Sequence, residues 1–122
     1  MRDDSKHLTR SDPKAIIRTY RRIVQGWRVP DSKVHTLIGN PEESEFECWV
    51  NGSRVLIPPE TMERISHVFG IYQALRCLFR DEDQANAWPH KPNRDFEGRP
   101  ALDVMLEGDL SRVRRYLDAQ CQ

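Results

Sequence analysis

The stretch PPETMERISHVFGIYQALRCLF, residues 58–79, decides the fold. Pro58-Pro59 breaks the chain, and the longest helix is predicted from about Glu60 to Phe79. Met62, Ile65, Val68, Phe69, Tyr72, Leu75, Leu78 and Phe79 recur at three- and four-residue spacing, and Ile71 and Ala74 widen that stripe beyond one face. Such breadth predicts burial on two sides. Apolar area of this kind also marks interfaces, so a homodimer burying part of this helix is expected.

On its amino-terminal side, residues 1–11 are polar and aperiodic and read as a flexible leader. Asp12 caps a helix that opens with Pro13, where the missing N–H costs nothing. Ile16, Ile17, Tyr20, Ile23, Val24 and Trp27 share one face of it, with Arg18, Arg21, Arg22 and Gln25 opposite. A short helix follows Pro30, capped by Asp31 or Ser32 and ended by Gly39. Asn40-Pro41 repeats the cap-then-proline signature, with Phe46, Trp49 and Val50 at helical spacing up to Asn51-Gly52. Asn-Gly between Cys48-Trp49-Val50 and Val55-Leu56-Ile57 is also a hairpin signal. The acidic run Glu42-Glu43-Ser44-Glu45 favours a helix, because it complements the dipole of a first turn.

On its carboxy-terminal side, Asp81 caps a helix ending at Trp88-Pro89, and a loop spans His90 to Arg99. Two short helices are predicted near Pro100 to Glu107 and Asp109 to Ala119, with Leu110, Val113 and Leu117 on the inner face of the last. No strand or repeat stands out, so the class is all-α. The organisation is a leader (1–11), a helix-turn-helix-like region (12–57), and a linking helix with a small helical domain (58–122).

The chain has 122 residues, 38% hydrophobic and 31% charged, which fits one modest core rather than a disordered chain. The charge-free stretch Ile65 to Leu75 is far too short to cross a bilayer, and Met1 to Lys6 is followed by no apolar run, so a cytoplasmic protein is expected. Cys48, Cys77 and Cys121 form no Cys-x-x-Cys pair, which argues against structural disulfides. His7, His35, His67 and His90 lie too far from them for zinc.

Charge is unevenly distributed. Residues 1–36 hold nine basic and four acidic side chains, and residues 37–63 hold one basic and six acidic. In a helix-turn-helix, the helix after Gly39 would read base edges, but it begins Asn40-Pro41-Glu42-Glu43-Ser44-Glu45, which phosphates repel. Arg18, Arg21, Arg22 and Arg28 are candidate DNA backbone contacts, and a solvated basic face explains them as well. No nucleophile elbow or glycine-rich phosphate loop is present, and Asp81-Glu82-Asp83 is most simply a helix start, so no catalytic residue and no enzyme activity are predicted.

Trp88, Pro92-Asn93, Phe96, Gly98 and the run GRPALDVMLEGDLSRVRRYLDA, residues 98–119, resemble the toxin-binding domain of the Xre/MbcA/ParS-like antitoxins. In that family a tryptophan ends a helix, a proline-asparagine loop follows, and a glycine precedes a short helix with a leucine-aspartate pair, here Leu102-Asp103. Gly108 matches the further glycine between the last two helices. The resemblance covers about residues 59–119, Val55 to Phe79 looks like the family's linking helix, and residues 13–52 resemble its degenerate helix-turn-helix loosely. Each residue also has a local role: Trp88 and Phe96 as core anchors, Gly98 and Gly108 for backbone angles, Asn93 closing a turn. Their order and spacing carry the resemblance.

The resemblance implies an antitoxin whose partner is a RES-domain toxin that degrades NAD or transfers its ADP-ribose, inhibited by covering the NAD pocket. It implies a homodimer and a toxin–antitoxin hetero-oligomer, with no cofactor, metal or membrane. Toxin contacts are expected from Arg99, Asp103, Arg112, Arg114, Arg115 and Tyr116, the polar and amphipathic groups left after Leu102, Leu106, Leu110, Val113 and Leu117 enter the core. A solvated charged helix explains Arg112 equally, and Arg115 beside Tyr116 less well. A DNA-binding autorepressor and a stand-alone adaptor are the alternative readings.

Overall fold

In the computed structural model, which describes residues 12–53 and 56–121, Asp12 starts the first helix by accepting a hydrogen bond from the Ala15 amide at 3.2 Å. The expected leader, and the Val55 shared by the hairpin alternative and the linking segment, lie outside the described residues. Helix α1 (Pro13–Gly26) buries Ile16, Ile17, Tyr20, Ile23 and Val24 and leaves Arg18, Arg21 and Arg22 exposed. Trp27 extends the core past the helix end. The Tyr20 hydroxyl donates to the Val34 carbonyl at 2.5 Å, which ties α1 to α2 (Asp31–Val34). Burial pushes that phenol well above its ordinary pKa.

Two caps differ from expectation. Pro30, in extended conformation, is the residue before α2, so Asp31 occupies the first helical position and no side chain caps the helix. A 3-10 turn, Thr36–Ile38, then ends at Gly39 with φ 93°, the left-handed conformation expected there. Asn40 is also left-handed, and its side chain accepts from Thr36 in the preceding turn at 3.3 Å, so it is not available to cap the next helix. Helix α3 therefore begins later than predicted, at Glu43–Val50, and Cys48 to Val50 are helical rather than the first arm of a hairpin.

Helix α4 (Pro59–Leu78) is the spine. Ile65, Val68, Ile71 and Leu75 are fully buried, each contributing roughly 1.5–3 kcal/mol of burial. α4 packs most extensively against the last helix, α7 (Leu110–Gln120), and also against α1 and α5 (Glu82–Ala87). The breadth of its stripe is thus used inside the chain. Among the described residues, Leu56 (71%) and Leu78 (36%) are the large apolar side chains left in solvent.

After α5, whose start is capped by Asp81 accepting from the Asp83 amide, a 3-10 turn at Trp88–His90 leads into what the sequence predicts as loop. That segment contains a two-residue antiparallel ladder, β1 (Pro92–Asn93) against β2 (Arg99–Pro100), bridged by a turn at Arg94–Phe96. Helices α6 (Ala101–Leu106) and α7 (Leu110–Gln120) complete the chain. The architecture is all-α, with the ladder as its one departure among the described residues.

The cysteine expectation is overturned. Cys77, near the end of α4, and Cys121, just past α7, form a disulfide with Cα atoms 6.3 Å apart. The two helices run in the same direction, with Arg114 beside Gly70 and Cys121 beside Cys77, so residues 44 apart in sequence meet. No local spacing rule reports a contact made by the crossover between parallel helices. Cys48 is the free thiol.

Candidate functional site

The β1–β2 hairpin organises the surface carrying three of the six sequence-predicted contacts, Arg99, Arg112 and Tyr116. Asn93 closes it, its side chain accepting from the Asp95 amide at 2.8 Å and its carbonyl from the Gly98 amide at 2.9 Å. Glu97 (φ 58°) and Gly98 (φ 80°) are both left-handed. A Cβ on Gly98 would meet nothing within 4 Å, so glycine is favoured there by conformation and not by space.

This turn places the Glu97 carboxylate between two arginines. Arg112 reaches it at 3.2 Å and Arg99 at 4.0 Å, while Arg99 also pairs with Glu107 at the end of α6. Arg112 further donates to the Asp95 carbonyl at 2.9 Å and lies over the Phe96 ring, 5.2 Å from its centre. These side chains are held by their own chain rather than left unpaired. Exposed pairs of this kind add about 1 kcal/mol or less each, so their effect is chiefly to fix where the guanidinium groups point.

Beneath them lies an aromatic cluster. Tyr116 stacks on Trp88 at 6.2 Å, with Phe96 edge-on to Tyr116 at 5.3 Å and to Trp88 at 6.5 Å. Phe96 is buried, and Trp88 and Tyr116 are half-buried. Tyr116, grouped by the sequence with the free polar positions, thus supports the hairpin as well as bordering the surface. Leu106, expected in the core, is likewise half-buried.

The other predicted contacts separate. Arg114 turns toward α4, donating to the Ser66 carbonyl at 3.4 Å and pairing with Asp118 at 3.8 Å. It lies across Gly70, where any Cβ would overlap its guanidinium. Burial first, then the Arg114 charge, lowers the pKa of neighbouring His67, with Arg115 adding to that and Glu63 opposing it. Arg115 and Asp103 are exposed and form no ion pair among the described residues. Sequence reasoning missed Glu97, Glu107 and Gly70. The glycine inside an otherwise bulky apolar stripe was the one available signal.

Of the candidate DNA contacts, Arg18, Arg21 and Arg22 line one shallow hollow of about 280 Å³ with Lys14, Gln25 and Val50. Arg28, left-handed at φ 59°, lines a different hollow of about 780 Å³ with Asp83, Asn86 and His90. No group of three or more His, Cys, Asp or Glu side chains is arranged to hold a metal among the described residues. No described helix is long and apolar enough to cross a membrane.

Comparison with known proteins bears on residues 74–120, which match the family described as the antitoxin Xre/MbcA/ParS C-terminal toxin-binding domain. The chain is also 42% identical over 109 residues to the uncharacterized protein y4oB of Sinorhizobium fredii, a match covering 87% of this chain and 84% of that protein. No solved structure matches the chain.

Proposed function

Because the chain belongs to the Xre/MbcA/ParS antitoxin family, with the toxin-binding domain at residues 74–120, we propose that it neutralises a RES-domain toxin by covering that toxin's NAD-binding site. The family domain points to a non-enzymatic regulator with a toxin as partner. One observation supports the location of the contact: within this domain Arg115 and Asp103 stand exposed with no ion-pair partner among the described residues, while Arg99, Glu97 and Arg112 form a fixed charged row. Arginine and carboxylate held over an aromatic base suit pairing with charged groups rimming a nucleotide pocket.

In this reading residues 12–57 form the helix-turn-helix-like region and residues 58–122 the linking helix and toxin-binding domain. We also place a homodimer contact at exposed Leu56. It borders an apolar hollow lined by Ile16, Ile57, Pro59 and Met62. The protein acts in the cytoplasm, where NAD is available to the toxin.

A second reading, autorepression, draws on Lys14, Arg18, Arg21 and Arg22 around one hollow. Glu43 and Glu45 in the first turn of α3, with Glu42 before it, oppose major-groove reading and limit any binding to weak, phosphate-directed contact. The deciding experiment is co-expression with a RES-domain protein. Co-purification with loss of NAD consumption supports the proposal, and separate elution with undiminished NAD consumption refutes it.

A further inference from the structure

We infer that Cys77 and Cys121 form a redox-sensitive fastening of the terminal helix, closed by a low-molecular-weight disulfide and opened by the corresponding thiol. The functional weight of this inference rests on the reading that α7 carries the toxin contacts, because Arg112, Arg115 and Tyr116 stand on it.

The carboxy-terminal end of α7 is weakly held by everything else. Leu117 is its last buried side chain, and Asp118, Ala119 and Gln120 are exposed. No basic residue stands in the last turn to complement the negative end of the helix dipole, and Asp118 there opposes it. Such an end frays. Cys121 then anchors it to Cys77 on α4, whose residues Ile71, Ala74 and Leu75 are buried. The covalent loop runs from Cys77 to Cys121, nearly coincident with the matched domain at 74–120. Cys77 is exposed and Cys121 half-buried, so small thiols and disulfides reach the bond. Cys48, on α3, takes no part.

With glutathione disulfide the chemistry balances. One cysteine, as thiolate, attacks a glutathione sulfur, giving a mixed disulfide and one glutathione thiolate. The second cysteine thiolate attacks the protein-bound sulfur and releases the second glutathione. Two protein thiols lose two electrons, the glutathione disulfide gains them, and the two cysteine protons end on the two glutathione thiols.

The test uses the full chain with Cys48→Ser, equilibrated in glutathione buffers of stepped redox ratio. Remaining thiols are counted by alkylation and mass spectrometry, and melting and amide exchange at residues 117–121 are followed in parallel. The expected result is that the two thiols disappear together, Tm rises by roughly 10 °C, and exchange of the last turn slows about tenfold or more. A further Cys77→Ser, Cys121→Ser variant should stay at the reduced values in every buffer. Two free thiols at all ratios, or equal Tm and exchange in both forms, would overturn the inference. Failure of a RES-domain toxin to bind either form strikes only the partner proposal, since thiol count and exchange are read without toxin.

Discussion

Residues 12–53 and residues 74–120 are both helical and both pack around aromatic side chains, yet they hold their polar groups differently. In the first region Trp27 and Trp49 are buried with unpartnered indole N–H groups, and no ion pair falls within it among the described residues. Its arginines on α1 and Glu43 and Glu47 on α3 remain in solvent, and Glu45 is half-buried. In the second region the aromatic cluster is roofed by Arg99, Arg112, Glu97 and Glu107, and its ends are joined covalently. The first region is ordered chiefly by apolar packing, with the Tyr20–Val34 hydrogen bond as its polar tie between helices. The second adds a polar framework that fixes side-chain direction.

The largest expected effect tests whether the contrast is between two folding units or two parts of one. Among the described residues, buried hydrophobic side chains of both regions belong to one continuous core. Trp49→Ala should cost about 3–5 kcal/mol and lower the unfolding midpoint of the whole chain. Denaturant titration with Trp27→Phe added, which leaves Trp88 as the remaining tryptophan, should give coincident curves by far-UV circular dichroism and by fluorescence. A carboxy-terminal transition left at its original midpoint would make the regions independent.

Gly98→Ala probes the hairpin. Space is open at that position, but φ of 80° is unfavourable for a side chain, so a loss of about 1 kcal/mol is expected. No loss in thermal melts would show that the turn readjusts freely. Smaller still in stability is Leu56→Ser, a change at a side chain 71% exposed. It should shift Tm little, within about 0.5 kcal/mol, while converting dimer to monomer in sedimentation. A dimer that survives the change would move the homodimer contact elsewhere.

The smallest effect concerns His67. Its pKa in the fold lies below the ordinary value, chiefly through burial and Arg114. Above about pH 6.5 the ring is neutral in both states and the stability is complete. As pH falls through the ordinary value toward the lowered one, the unfolded chain takes up the proton first and stability declines. Stability measured from pH 7.5 to 5 should show this shallow slope, and His67→Asn should flatten it. An identical slope in the variant would assign it to other groups.

How much was legible follows the range of the signals. Asp12 with Pro13, Gly39 and Asp81 announce helix ends locally, and the three- and four-residue spacing from Ile16 to Trp27 names the buried face of α1 without tertiary information. Asn40-Pro41 misplaced a helix start because Asn40 bonds backwards to Thr36. A two-residue ladder is too short to show alternation. At the candidate site the sequence names residues but not how they are held. Tyr116 lies off the Leu110–Val113–Leu117 face, so periodicity assigns it to solvent, whereas the hairpin covers that flank with Trp88 and Phe96. The disulfide depended on two helices running parallel, which no spacing encodes.

The central claim is that the toxin is met by the exposed face of the terminal helix, and Arg115→Ala tests it most directly. Arg115 is exposed and donates to the Ser111 hydroxyl at 3.4 Å. The measurement is affinity for the RES-domain toxin by isothermal titration, alongside Tm, with Tyr116→Ala as the variant that loses fold stability through its aromatic neighbours. For Arg115→Ala the expected result is roughly a thirty-fold weaker Kd, about 2 kcal/mol, at unchanged Tm. Unchanged affinity at unchanged Tm would contradict the account and place the toxin contact on another face.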